Sequence, residues 1–190
     1  MIVVLLTTTV VAAAFVVSAA DDTRLKRGEV VVHVSEDESG EADGHIKAAI
    51  DIAAPPSSVF ATMLDCARMK KILNHLKSCK VLEVAPDGKS DVREHVSKWL
   101  AVIPEIKSVF RSVYVKDREI AFEKAGGDYK FLKGAWHFEP MNSGRATRLT
   151  YDVRVGLGVP MPGFMIRSAL EDDFPKTLQA LRTEVLTGGN

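Results

Sequence analysis

Much of the chain alternates between apolar and polar residues with the period of a β-strand. The clearest case is residues 147–155, where Leu149 and Tyr151 point to one face while Arg148 and Asp152 point to the other. One covered face and one wet face are typical of an antiparallel sheet, so the pattern predicts such a sheet. Further runs of strand character, separated by turn residues, are residues 29–34, 45–53, 81–84, 91–102, 106–115, 120–124 and 129–140.

Three segments instead favour helices. The Pro-Pro-Ser-Ser run at residues 55–58 is typical of a helix start, and a second short helix is predicted around residues 67–73. A longer helix is predicted near the C-terminus, where apolar residues form a single stripe. Because Pro175 would disturb a helix interior, we expect a kink or restart just before it. The stripe consists of Phe174, Leu178, Leu181 and Val185.

Residues 1–20 carry no charged side chain and end in small residues just before Asp21. An apolar stretch followed by small residues is typical of a secretory signal peptide, although no Lys or Arg stands near its start. The alternative is an N-terminal membrane anchor, since roughly 20 apolar residues can span a bilayer. We therefore expect an exported protein, periplasmic or secreted, or one anchored by this segment. Residues 21–44 are predicted as an extension with one extra strand, and residues 45–187 as the main domain.

Charge and cysteine content narrow the function. The 25 Lys and Arg balance the 25 Asp and Glu, so nothing favours nucleic-acid binding. Two cysteines exclude a four-thiolate zinc site. In an oxidising compartment Cys66 and Cys79 could form a disulfide; the alternative is two buried thiols. None of the histidines has metal-ligand spacing, and no nucleophile elbow, phosphate loop or dinucleotide motif occurs, so we expect neither metal nor cofactor.

The order of predicted elements resembles the START-like (SRPBCC, helix-grip) superfamily, in the branch of polyketide cyclase/dehydrase and coenzyme Q-binding proteins. The resemblance covers roughly residues 45–185 and implies an α+β fold. In that fold a curved antiparallel sheet wraps around a long C-terminal helix, and two short helices follow the first core strand. The motifs that carry it are Ile-Asp-Ile-Ala-Ala-Pro at 50–55, Gly-Ala-Trp-His-Phe at 134–138, Gly-Arg-Ala-Thr-Arg-Leu-Thr-Tyr at 144–151 and Phe-Pro-Lys-Thr-Leu-Gln-Ala-Leu-Arg at 174–182.

Members of this superfamily hold a hydrophobic ligand between the sheet and the last helix. Large apolar side chains with a polar handle, such as Trp136 and Tyr151, suit such a cavity, although plain core packing is the alternative for each residue. The predicted ligand-binding residues are Leu132, Trp136, Phe138, Leu149, Tyr151, Phe110 and Phe164.

Polar side chains on the strand predicted at residues 91–102 suggest a second functional interpretation. Arg93 and His95 share one face of this strand, and neither face is cleanly apolar, so the pattern leaves open which one points inward. If they point inward, they could hold a polar head group or, with Tyr114 of the next strand, act as acid and base. The alternative is an outward row of solvated charges.

Two apolar loops are predicted at one end of the sheet, because turns of an antiparallel meander alternate between its ends. Apolar loops are unusual at a surface and would suit a mouth that admits a hydrophobic ligand. The alternative is that they close the core. The residues predicted at the mouth are Val102, Ile103, Val159 and Met161.

The main functional hypothesis is an exported, non-enzymatic protein that binds or transports a lipid or other hydrophobic small molecule, with transient membrane contact. The first alternative is a cyclase or dehydratase that uses the same cavity. The second is a protein-interaction module whose cavity is closed. The fold hosts carriers, receptors and enzymes, so it does not decide among them.

Overall fold

The computed structural model of the chain describes residues 15–40, 42–98, 104–158 and 169–188. The strands are β1 Val31–Ser35, β2 Gly44–Ile52, β3 Leu76–Val84, β4 Ser90–Ser97, β5 Ile106–Val115, β6 Glu119–Gly127, β7 Tyr129–Met141 and β8 Ala146–Leu157. The helices are α1 Ala19–Lys26, α2 Pro56–Leu64, α3 Cys66–Ile72 and α4 Phe174–Thr187, the last preceded by a π-helical turn at Ala169–Asp173.

The eight strands form one curved antiparallel sheet in the order β1-β2-β8-β7-β6-β5-β4-β3. The chain crosses from β2 through α2 and α3 to the far edge and then returns strand by strand to β8. Every residue of β2 pairs with a residue of β8. The α+β architecture expected from the resemblance is therefore confirmed, and β1 and β3 are the two edges of the sheet.

The concave face packs against α2 and α4. The stripe of α4 buries Leu178, Leu181 and Val185 against Ile50 and Leu149 of the sheet. Pro175 lies in the first turn of α4, directly after the π-helical turn, as the expected restart of the helix requires. At that position the absent N–H of proline leaves no backbone hydrogen bond unmade.

Helix α3 is held at the side of this core by covalent and ionic links. Cys66, its first residue, forms a disulfide with Cys79 of β3, their Cα atoms 5.4 Å apart. On the α4 side, Arg68 donates to the Glu184 side chain at 3.1 Å and to the Glu184 carbonyl at 2.7 Å. The short α3 therefore has a fixed position despite burying little besides Ile72.

Helix α1 covers the outer face of the sheet near its β1 edge and was not predicted. Ser18 caps it by accepting a hydrogen bond from the Asp21 N–H at 3.1 Å. Leu25 packs with Val31 and Ala49, and these three form a small buried cluster among the described residues. The boundary expected at residues 20–21 thus falls within α1, and removal of the preceding segment stays a prediction. In the described part of the chain, no helix is long and apolar enough to cross a membrane.

Candidate functional site

A cavity of about 310 Å³, which we call the concave cavity, lies between the concave face and the helices. Strands β4 to β8 form its floor, α2 and α3 contribute Met63, Met69 and Ile72 to one wall, and α4 contributes Leu178 and Leu181 to the roof. Its volume is at the lower end of the range typical of small-molecule sites.

Aromatic rings line most of the floor. Tyr151 stacks on Trp136 with ring centroids 3.9 Å apart, and Phe122 lies parallel to Tyr151 at 6.1 Å. Phe174, at the start of α4, contacts the other side of Tyr151 at 5.4 Å. Phe110 continues the row toward β4. Because these rings support one another, the floor offers a rigid and largely apolar surface to a ligand.

Polar side chains gather at the β4–β5 side of the same cavity, and we call Asp91, Arg93, His95, Ser112 and Tyr114 the polar cluster. Arg93 donates to the Asp91 carboxylate at 2.7 Å and to the Leu64 carbonyl of α2 at 2.7 Å. Asp91 Oδ1, His95 Nε2 and the Tyr114 hydroxyl are buried and have no hydrogen-bond partner among the described residues. Unmatched buried polar atoms are rare in proteins and often mark a site that a ligand completes.

Burial determines the protonation of the polar cluster. Desolvation, and secondarily the positive charge of Arg93, lower the pKa of His95 to about 4, so its imidazole is neutral at pH 7. Desolvation, followed by the nearby Asp91 carboxylate, raises the pKa of Tyr114 to about 12. Because Arg93 and Asp91 form an ion pair, the cluster offers neutral donors and acceptors rather than a net charge.

Four of the predicted ligand-binding residues meet in the concave cavity: Phe110, Leu132, Trp136 and Tyr151. The candidate acid–base residues Arg93, His95 and Tyr114 line it too, so this face of β4 points inward. The remaining predictions behave differently. Phe138 and Leu149, with 2% and 1% of their surfaces exposed, pack in the adjacent core and are not among the described residues that line the cavity. Phe164 and the mouth residues Val102, Ile103, Val159 and Met161 lie outside the described residues.

The register supports the expected arrangement of turns. Ser97 pairs with Ile106, Ser108 with Gly127, and Tyr129 with Leu157, so the three connections lie at one end of the sheet. Ser97, Ser108 and Tyr129 also line the concave cavity, which therefore extends toward this end.

Several residues of the polar cluster and of the cavity lining were missed from the sequence. Asp91 precedes Arg93 and His95 at two-residue intervals on the same strand, so alternation alone could have placed it on their face. Phe122 lies two residues after the buried Ile120 on β6, so alternation could also have placed it on the inward face. Met63 and Met69 lie on two short helices whose packing partner, α4, is far away in the sequence, so no local pattern indicated that they face a cavity.

A larger depression of about 840 Å³ lies on the opposite face of the sheet, and we call it the outer trough. Its lining carries both signs of charge, and each of its histidines has one ring nitrogen near a carboxylate, while His137 Nε2 is buried without a partner among the described residues. His45 Nε2 lies 2.6 Å from Asp152 Oδ1, and His137 Nδ1 lies 3.3 Å from Glu119 Oε2. Within the described ranges, no group of three or more His, Cys, Asp or Glu side chains could hold a metal ion.

Solved structures resemble the fold over most of the chain. A STAR-related lipid transfer protein from Xanthomonas axonopodis (residues 25–204) aligns with a TM-score of 0.69 and 16% identity, covering 83% of this chain and 94% of that one. Human STARD10 aligns with a TM-score of 0.69 and 12% identity, over 83% and 69% of the two chains. The Zhui aromatase/cyclase from Streptomyces sp. R1128 aligns with a TM-score of 0.61 and 15% identity, covering 83% of this chain and 99% of that one. At these identities the likeness shows the fold alone.

Comparison with curated proteins finds no match. A family-level comparison of the sequence does, over residues 52–182, which include the strands and helices that line the concave cavity. The match extends over more than half of the chain and agrees with the fold that the structure shows. The chain therefore belongs to the family described as polyketide cyclase/dehydrase and lipid transport.

Proposed function

We propose that the protein binds and carries a compact, uncharged hydrophobic molecule in the concave cavity. One observation carries the proposal: two residues that line the cavity beside its aromatic floor, His95 and Tyr114, each bury a polar side-chain atom without a partner among the described residues. An empty apolar space would need no such atoms. A ligand with one hydrogen-bonding end and an apolar body would satisfy both parts of the site.

The apolar body of the ligand would supply most of the affinity. Each Å² of apolar surface removed from water contributes about 25 cal/mol, less the cost of association. Because Tyr151, Trp136 and Phe122 already support one another, little side-chain conformational freedom has to be lost on binding. A cavity of about 310 Å³ favours a single ring system or a single chain over a two-chain lipid.

The polar end of the ligand is proposed to be a hydroxyl or carbonyl group. The Arg93–Asp91 ion pair, with an N–O distance of 2.7 Å, leaves no net charge for a charged head group to neutralise. Moving a charged head into this site would incur a large desolvation penalty, whereas a hydroxyl could donate to His95 and accept from Tyr114.

The comparisons and the sequence supply further support. The family description includes lipid transport, and the Xanthomonas axonopodis structure is named as a lipid transfer protein. We propose export on the basis of the uncharged residues 1–20, and the Cys66–Cys79 disulfide is consistent with an oxidising compartment. Transient contact with a membrane during loading is part of the same proposal.

Binding can be tested with the neutral fluorophore 1-aminoanthracene and by native mass spectrometry of the purified protein. We expect probe fluorescence that saturates at one site and a co-purifying neutral hydrophobic molecule. Ser108→Trp would fill the cavity and abolish probe binding. Val113→Trp, on the same strand but 53% exposed on the opposite face, is the matched control and would leave binding unchanged. Equal binding by both variants would show that the concave cavity is not the site.

A second candidate function is acid–base catalysis of the cyclase/dehydratase kind. The observation that favours it is His95, whose neutral imidazole has an unpaired Nε2 facing the cavity beside Tyr114. Incubation with the molecule extracted from the protein separates the two functions. A carrier returns the molecule with its mass unchanged, whereas a dehydratase returns it with one water lost, and His95→Gln would stop that loss.

A further inference from the structure

The disulfide joins helix α3, which forms part of a wall of the concave cavity, to the edge strand β3 next to the cavity floor. Cys66 begins α3, and Cys79 lies on the edge strand β3 directly opposite His95 of β4. Residues directly opposite each other in an antiparallel pair have their side chains on the same face. Cys79 therefore lies on the face that bears His95, next to the polar cluster, and the bridge holds the start of α3 beside this edge of the cavity.

The junction between α2 and α3 is attached to the sheet at the same place by a second link. Arg93 donates to the Leu64 carbonyl at the end of α2, two residues before Cys66. Met63 and Leu64 line the cavity just before this junction, and Met69 and Ile72 line it just after. Besides its core packing and the link from Arg68 to Glu184, the wall is thus attached to the sheet by one hydrogen bond from a charged donor and one covalent bond.

We infer that the Cys66–Cys79 disulfide is a redox-sensitive clamp that sets how tightly the concave cavity holds its ligand. This inference rests on the proposed function. With the bridge intact the α2–α3 wall stays against β3 and β4, and the ligand is retained. With the bridge reduced the wall opens next to His95, and the ligand exchanges more readily.

The redox step requires a dithiol reductant and leaves no atom unbalanced. A thiolate of the dithiol attacks one sulfur, and the resulting mixed disulfide is resolved by the second thiol of the reductant. The S–S bond of the protein breaks, Cys66 and Cys79 become thiols with the two electrons and two protons, and the dithiol becomes a disulfide. Both cysteines are half-buried, so a small dithiol can reach them.

Reduction is expected to loosen the wall without unfolding the domain. The main core cluster contains neither cysteine. Helix α3 also keeps its link to α4, where Arg68 and Glu184 lie 3.1 Å apart. If the reduced wall occupies its closed position about a tenth of the time, the apparent Kd rises about tenfold, because only the closed fraction binds.

The test measures 1-aminoanthracene affinity of the full chain before and after equilibration with dithiothreitol, with circular dichroism recorded on the same samples. We expect about tenfold weaker binding in the reduced protein and an unchanged far-ultraviolet spectrum. The double variant Cys66→Ser/Cys79→Ser should match the reduced protein and no longer respond to the dithiol. Reoxidation of the wild-type protein should restore the original affinity.

Three results would overturn the clamp, and each differs from failure of the proposed function. Equal affinity in both redox states would show that the bridge does not control the cavity. Loss of the β-sheet signal on reduction would show that it acts on global folding instead. Weaker binding that persists after reoxidation would show that the effect is not reversible redox control. By contrast, no probe binding to the oxidised wild-type protein would contradict the proposed function itself.

Discussion

The helix α4 covers two halves of the concave face that differ in how they are filled. In one half Ile50, Leu149 and Phe138 are at most 2% exposed and belong to the core cluster that includes residues of α2 and α4. In the other half the side chains of β4 to β8 leave the concave cavity of about 310 Å³. Both halves show the same alternation of inward and outward residues along their strands, so alternation alone does not separate a solid core from a binding site.

Buried polar atoms show the difference more clearly. In the solid half, the Thr147 hydroxyl is fully buried and donates to the Ala54 carbonyl at 2.7 Å. In the hollow half, His95 Nε2 and the Tyr114 hydroxyl are buried without a partner among the described residues. His137 Nε2, on the opposite face of the sheet, is likewise buried without a partner among the described residues, so the contrast holds only between the two halves beneath α4. Since an unmatched buried polar group destabilises a fold, the atoms of the hollow half suit a site that a ligand completes.

The largest effect is expected at the ion pair of the hollow half. Arg93→Met would leave the buried Asp91 carboxylate uncompensated and reduce the free energy of unfolding by about 3–5 kcal/mol. The double variant Asp91→Asn/Arg93→Met removes both charges and should recover most of that loss. Urea denaturation of the two variants measures both values, and equal losses would mean that Asp91 is not desolvated.

The next effect separates the two halves directly. Leu149→Ala opens a cavity in the solid half and should reduce the free energy of unfolding by about 2–5 kcal/mol while leaving 1-aminoanthracene binding intact. Phe122→Ala only enlarges an existing hollow, so it should destabilise less but weaken probe binding. Denaturation and probe titration of both variants give the comparison. If Leu149→Ala weakened binding more than Phe122→Ala, the division between the halves would be wrong.

A smaller effect is expected from pH. The pKa of His95 is about 4 in the folded protein and 6.5 in the unfolded chain, so below pH 6.5 the unfolded chain binds a proton that the folded protein does not. Stability from this group is complete above pH 6.5 and is lost as pH falls toward 4, by up to about 3 kcal/mol. Denaturation of wild type and His95→Gln between pH 7 and 4 measures the difference. A parallel decline of the two proteins would contradict a buried neutral His95.

The smallest effect is expected on the other side of the sheet. Lys133 lies in the outer trough with an exposed side chain. Lys133→Ala should change the free energy of unfolding by less than about 0.5 kcal/mol and leave probe binding unchanged. A marked loss of probe affinity in the same two assays would place the binding site in the outer trough.

The sequence predicted the parts of the fold that repeat locally. The alternation in residues 147–155 and the stripe of α4 were visible because each depends on near neighbours, and Pro175 indicated the restart of the helix. Strand β3 was predicted only for residues 81–84 because its first part, Leu76–Cys79, has no clear alternation. Helix α1 was missed because it buries only Leu25 and Asp21, and its stability comes from a cap and from contacts with β1 and β2.

The site was only partly predictable because a cavity depends on distances between distant segments. Trp136 and Tyr151 were identified by residue type and face, but Phe138 and Leu149 share those faces and lie in the solid half. What separates them is their position along the strand relative to α4. Similarly, the inward orientation of Arg93 and His95 follows from the pairing of β4 with β3 and β5, which no local pattern specifies.

The most direct test of the hollow half is a crystal structure of the full chain grown with 1-aminoanthracene. The account predicts the fluorophore between α4 and strands β4 to β8, in contact with Tyr151 and Phe122, with its amine within hydrogen-bond distance of His95 or Tyr114. An interior closed by its own side chains, or a fluorophore bound only in the outer trough, would contradict it.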